Sequence, residues 1–247
     1  GFRYIDISGV EAENIEVEGV ALYSELNRYG DFDCSNELLN RLQKNIEWYS
    51  KSNFIDIPTD CPQRDERMGW TGDINVFSPT AYFNFDMTRF LNKWMEDVKV
   101  EQGKGGGIPN TVPKNGYGFP LTMPLMAIDF WGDACVNVPF NIYNETGDKD
   151  FLKKYFDMMK KYVKAEFFWS KLFSFGDNRY IFKTINMLHF GDWVTPDVQK
   201  MSGWQARHKR TATASLKLCS ENVSKVAEIL DQKHDQEYFH NLSKNTA

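Results

Sequence analysis

The period at which apolar side chains return changes abruptly near residue 34, and this change is the main constraint on the fold. Before it, Phe2, Tyr4, Ile5 and Ile7, then the run 15–23 with Ile15, Val17, Val20 and Tyr23, alternate in the manner of half-buried strands, with Gly9 and Gly19 as punctuation. After it, Leu38, Leu39, Leu42, Ile46 and Tyr49 recur at helical spacing, behind a Ser35 suited to capping and a Glu37 in the first turn. Further helices are predicted at 73–84, 86–101, 127–146, 148–169, 211–231 and 234–243. A chain that enters through strands and continues as successive helices fits an (α/α) toroid whose loops gather at one end. A generic helical domain would show the same periodicity.

Two connections are long. Residues 103–120 hold six glycines or prolines before Gly116 and are expected to form a loop at the rim of a site, because structureless loops beyond ~12–15 residues commonly carry function. Residues 170–210 contain a short β-like piece at Tyr180 and the triplet Gly191-Asp192-Trp193.

A third stretch, 58–73, carries chemistry. It packs Asp60, Cys61, Arg64, Asp65, Glu66, Arg67 and Asp73 together with Trp70, two prolines and two glycines. Ionised carboxylates this close repel one another, so the cluster needs arginines, a metal or a shared proton. Glycosidic cleavage requires a proton for the leaving oxygen and stabilisation of an oxocarbenium-like centre, which two carboxyls in different protonation states supply. Glu66 is the acid candidate, since an indole and neighbouring acids push a carboxyl toward its neutral form. A salt bridge to Arg64 or Arg67 is its structural alternative. Asp60, Arg64 and Asp73 suit sugar hydroxyls, although Asp73 could instead cap a helix starting at Ile74. Two further pairings of tryptophan and carboxylate, Trp131 with Asp133 and Trp193 with Asp192, repeat the theme, with core packing as the plainer explanation of each.

Other classes are disfavoured. The net charge of −5 with scattered Lys and Arg leaves no nucleic-acid footprint. No apolar run approaches the ~20 residues of a membrane span. Cys34, Cys61, Cys135 and Cys219 form no C-x-x-C pair, and Cys61 beside Pro62 suits a small buried packing role better than that of a ligand or nucleophile. The four histidines show no metal spacing, and neither a nucleophile elbow nor a phosphate loop is present. No cofactor is required by this chemistry. A structural calcium ion held by Asp60, Asp65 and Asp73 is compatible with the carboxylates. The aromatic share of 15% supplies both core and flat sugar platforms.

The run from Asp60 to Asp73, DCPQRDERMGWTGD, resembles the signature of α-L-rhamnosidases of glycoside hydrolase family 78. The order of Gly106-Gly-Ile-Pro-Asn-Thr-Val-Pro, Trp131-Gly-Asp-Ala and Phe190-Gly-Asp-Trp agrees with it, so the resemblance covers essentially the whole chain. It implies a mainly α fold, part of an (α/α)6 barrel, with 1–33 as the end of a preceding β-rich domain and 34–247 as the N-terminal part of the barrel, incomplete at its C-terminus. It further implies inverting hydrolysis of terminal α-L-rhamnose from an oligosaccharide or glycoside. Glu66 aligns with the general acid, Asp60, Arg64, Trp70 and Asp73 with positions around the sugar, and Trp131 and Trp193 with aromatic walls; Asp133 and Asp192 are carried along.

One element of the family pattern is missing. The general base is a glutamate in a downstream Trp-Glu segment, and Glu221, Glu228 and Glu237 read instead as surface charges on helices. The base is therefore expected beyond Ala247. About seven helices where a closed toroid has twelve imply a fragment with exposed apolar faces, expected to self-associate and to be inactive alone. Another barrel glycosidase, or a carbohydrate-binding fragment without catalysis, would share these features. Compartment is left open.

Overall fold

The computed structural model describes residues 4–116, 130–172, 174–183 and 201–246, without the side chains of residue 12 and of 201–208. Among these residues seven helices dominate: α1 (Glu37–Asn53), α2 (Thr71–Asn84), α3 (Thr88–Glu101), α4 (Ala134–Thr146), α5 (Lys149–Lys171), α6 (Met201–Ile229) and α7 (Lys233–Asn245). The strands β1 (Phe54–Ile55) and β2 (Ile57–Pro58) form a minimal hairpin turned at Asp56, whose φ of 65° suits an aspartate.

Local chemistry sets the boundaries. Asn36, rather than Ser35, caps α1, its side chain accepting from the Leu38 N–H at 3.0 Å. Asp148 caps α5 through the Phe151 N–H at 3.0 Å. Gly147, at φ 70°, ends α4 in the left-handed conformation, its N–H returning to the Tyr143 carbonyl. Helix α2 starts at Thr71, so Asp73 is not its cap but lies in its first turn, where the positive end of the helix dipole favours a carboxylate.

The strands expected in the first thirty residues are not formed among the described ones. Residues 4–23 carry no regular element apart from a 3-10 turn at Ala12–Asn14, with a bend at Gly9, and Tyr4, Val17, Val20 and Leu22 are exposed. Alternation describes what one face of a strand would bury; without a neighbouring strand among the described residues there is no ladder to join.

Helix α4 packs on α2, α5 and α6, and α6 packs on α5 and α7. These contacts enclose one core in which Tyr82, Phe85, Trp94, Tyr155, Tyr162 and Phe239 are fully buried. Helix α1 differs. Its stripe of Leu38, Leu39, Leu42 and Tyr49 is exposed, and its buried residues are Ser50 and Asn53 near its end. Among the described residues no helix is long and apolar enough to cross a membrane.

Candidate active site

The acid-bearing stretch is a closed loop. The N–H groups of Asp60 and Trp70 both donate to the Met68 carbonyl, at 3.3 and 3.0 Å, and Arg67 makes the return with a φ of 50°. The outgoing end is sewn to residues 106–112. Trp70 and Thr111 form a β-bridge, the Val112 N–H donates to the Gly69 carbonyl at 2.9 Å, and the Thr71 N–H donates to the Asn110 carbonyl at 2.8 Å. Residues 106–112 are buried, with the Trp94 indole donating to the Val112 carbonyl at 3.1 Å. This half of the long loop is thus a buried strut rather than the expected rim, and 117–120 lie outside the described residues.

The incoming end is held by the last turns of α1. The Thr59 N–H and hydroxyl both donate to the Asn53 carbonyl, at 3.0 and 3.1 Å, and the Tyr49 hydroxyl donates to the Asp60 carbonyl at 3.0 Å. Between α1, residues 58–60 and the first turns of α2 opens a cavity of about 420 Å³, walled by Tyr49, Asp60, Asp73, Phe77, Phe130 and Trp131 among others. That volume suits a monosaccharide-sized ligand. Gly72 lets the Trp131 indole lie against α2, because a β-carbon there would come within 2.7 Å of the ring. The Asn75 side chain fixes the neighbouring backbone by donating to the Phe130 carbonyl at 2.8 Å.

Glu66 and Asp60 form the chemical centre. The Trp70 indole N–H donates to Glu66 Oε2 at 2.9 Å, and the Cys61 thiol donates to Asp60 Oδ2 at 3.1 Å. The remaining oxygens, Glu66 Oε1 and Asp60 Oδ1, are shielded from water and have no donor among the described residues. A carboxyl–carboxylate hydrogen bond with one shared proton would satisfy both. Accordingly the Glu66 pKa is raised, first by burial and then by the hydrogen bond to Asp60, while the Trp70 N–H and the Arg64 charge oppose the shift. Asp73 is pushed up to about 6 by burial and then by the Asp60 charge. Asp73 is itself exposed and lines the cavity, so water reaches it. The Cys61 thiol is raised by burial and by Asp60, so it is a donor rather than a thiolate.

The predicted residues therefore divide. Asp60, Asp73 and Trp131 line the cavity; Glu66 and Trp70 join it through Asp60. The salt bridge considered for Glu66 is not formed among the described residues: Arg64 and Arg67 are exposed, and Arg64 acts on the acids through its charge.

Asp133 is placed in the interior instead of the cavity wall. It is 2% exposed, accepts from the Tyr162 hydroxyl at 2.8 Å and the Ser215 hydroxyl at 2.5 Å, and ties α4 to α5 and α6. Asp192 and Trp193 lie outside the described residues.

Sequence reasoning missed Tyr49, Phe77 and Phe130 as wall residues. Tyr49 had been counted into an apolar stripe, and the only hint against that was its hydroxyl. Among the described residues the calcium trio is not grouped: the sets of close ligand-type atoms there are Asp60 with Cys61 and Glu66, and Asp133 with Glu166 and Cys219. Each includes a thiol, whereas calcium takes six to eight oxygens.

Comparison with known proteins is consistent along the chain. Residues 27–247 match the family model described as the bacterial alpha-L-rhamnosidase 6 hairpin glycosidase domain. A curated α-L-rhamnosidase of Formosa agariphila is 39% identical over 252 aligned residues, covering 100% of this chain and 26% of the relative. One from Streptomyces avermitilis is 37% identical over 154 residues, covering 62% of this chain and 14% of its own length. Among solved structures, α-L-rhamnosidase from Aspergillus terreus matches with a TM-score of 0.76 at 30% identity, over 91% of this chain and 25% of that one. The Streptomyces avermitilis enzyme complexed with L-rhamnose matches with a TM-score of 0.74 at 27% identity, over 91% and 20%. The chain thus spans about a quarter or less of the length of these relatives.

Proposed function

Since the chain belongs to the bacterial α-L-rhamnosidase six-hairpin glycosidase family, we propose that it carries the proton-donating half of an active site that hydrolyses terminal α-L-rhamnosides with inversion. Glycoside hydrolysis on rhamnose is what its relatives' names support. In this reading Glu66 is the general acid, Asp60 its proton-sharing partner and a sugar ligand, and Trp70 the donor that orients Glu66. Asp73, Arg64 and Trp131 hold the sugar. The general base belongs to a part of the protein outside this chain, and the helices here are one sector of an (α/α)6 barrel. Inversion needs the base about 6.5–9.5 Å from the acid, across a space that admits water; the open cavity leaves room for it.

The observation that carries the reading is the acid pair itself: two carboxyls beside a sugar-sized cavity, each with one oxygen held by a neutral donor and one left to share a proton. Such a pair keeps a carboxylic acid neutral where a free one would ionise.

The test is Glu66→Gln in the full-length protein, assayed on aryl rhamnosides of graded leaving-group acidity. Hydrolysis of poor leaving groups should fall by roughly 10²–10⁴, activated ones should suffer less, and rhamnose should still bind by calorimetry. Equal, small losses across the series would remove Glu66 as the acid. Asp60, not Glu66, lines the cavity, so a second reading makes Asp60 the donor and Glu66 its orienting partner. In that case Asp60→Asn, and not Glu66→Gln, shows the steep leaving-group dependence.

A further inference from the structure

Asp60 is held at three points, two from its own loop and one from α1. Its N–H reaches the Met68 carbonyl, its carbonyl accepts from Tyr49, and its Oδ2 accepts from the Cys61 thiol at 3.1 Å. The first two fix the backbone; only the third fixes the rotation of the carboxylate. Without a donor at Oδ2, either oxygen of Asp60 could turn toward Glu66, or both could turn to the cavity.

We infer that Cys61 is a positioning residue for the proton donor: its thiol occupies Asp60 Oδ2, so that Oδ1 alone faces Glu66 and the shared proton has one place to lie. The inference rests on the acid role proposed for Glu66. The thiol suits this task because it is 8% exposed and so out of reach as a nucleophile. It also stays protonated, because burial and Asp60 raise its pKa while Arg64 opposes them. The titratable or charged groups around the pair are Tyr49, Cys61, Arg64 and Asp73, with Trp70 as a neutral donor on Glu66. Of the donors to the two carboxyls, the Cys61 thiol can be deleted without removing a carboxyl, an arginine or an aromatic wall.

Deleting it leaves the acid pair with one donor fewer to its charged form. The pair then holds its proton more tightly, and its apparent pKa as a pair rises by roughly 0.3–1 unit. At the same time the loosened Asp60 lets Glu66 stray, which lowers turnover by about tenfold.

The experiment measures kcat/KM against pH for the full-length protein and its Cys61→Ser, Cys61→Ala and Glu66→Gln variants, on an aryl rhamnoside with a poor leaving group. Cys61→Ser keeps a donor and should retain the alkaline limb, with activity within about threefold of the parent. Cys61→Ala should lose about tenfold and move that limb to higher pH. An unmoved limb in Cys61→Ala, or an equal displacement in Cys61→Ser, overturns the inference, the latter by showing that volume and not donation matters. If Glu66→Gln keeps the alkaline limb, the acid assignment has failed; if Glu66→Gln abolishes it while Cys61→Ala leaves it in place, only the role of Cys61 has failed. Should Cys61→Ala not fold, the infrared S–H band that vanishes in Cys61→Ser decides. A band lowered from that of a free thiol and shifting as the acid pair ionises supports the inference, and a free-thiol band indifferent to pH overturns it.

Discussion

Gly72→Ala probes how the aromatic wall of the cavity is set. A β-carbon at this position of α2 would sit 2.7 Å from Cε2 and 2.8 Å from Cδ2 and Nε1 of Trp131. Carbon contacts are favourable at about 3.5–4.0 Å, so the indole must retreat by roughly 1 Å. It cannot do so freely, because the Phe130 carbonyl is bound by Asn75 at 2.8 Å and the Phe130 ring meets the indole edge-on at 5.9 Å. Overpacking of this kind costs about 1–3 kcal/mol, while replacing glycine by alanine inside a helix returns about 1 kcal/mol. The net destabilisation is therefore only about 1 kcal/mol, a fall of roughly 2–4 °C in Tm for a domain of this size. Binding should suffer more than stability, with KM for a rhamnoside rising about ten- to hundredfold as the wall moves out of register. A double-mutant cycle isolates the clash. In a Trp131→Ala background the alanine at 72 meets no ring, and the same substitution should become stabilising by about 1 kcal/mol. An equal cost in both backgrounds, by calorimetric melting, would refute the contact as the cause.

Two further tests address the other acids. The fold pushes the Asp73 carboxyl up to about 6 from the usual 3.8, by burial and then by the Asp60 charge, so between those values the fold keeps a proton that the unfolded chain has lost. Stability should fall as pH rises through that window and level off above it; Asp73→Asn should flatten this part of a Tm-versus-pH curve, and an unchanged slope would show that Asp73 does not report on the cavity. Tyr162→Phe removes the donor to Asp133 Oδ1 and should destabilise by about 1–3 kcal/mol in urea melts, with KM preserved. A large KM effect without loss of stability would return Asp133 to the sugar site.

What could be read from the sequence, and what could not, follows from range. Helices α3, α5 and α7 are legible within two residues because their apolar periodicity is local. The start of α6 at Met201 was missed by ten residues, since 201–210 carry few apolar side chains and a glycine, leaving periodicity silent. The acid cluster was legible because its residues are contiguous. Its cavity was not, because Tyr49 arrives from α1 and Trp131 from beyond the long loop, and what places them is a missing side chain at Gly72 and a backbone carbonyl at Asp60. Asp133 shows the converse error: a tryptophan and an aspartate two residues apart on a helical approach point in different directions, and here one faces the cavity and the other the core.

Distant elements hold the proposed proton donor together, although its two carboxyls are only six residues apart. Asp60 and Glu66 offer four oxygens; Cys61 serves one and Trp70 another, both from within the loop. The remaining two can meet only if the loop closes, and closure is enforced from outside it, by α1 through Tyr49 and Asn53 and by the buried strut 106–112 through Asn110 and Val112. A loose strut would separate the carboxyls, let each find water and return Glu66 toward an ordinary ionised glutamate. The burial of 106–112, which looks like packing, is thereby coupled to the protonation of the acid. Weakening that strut should lower the pH at which the acid is lost, opposite in sign to deleting the Cys61 donor.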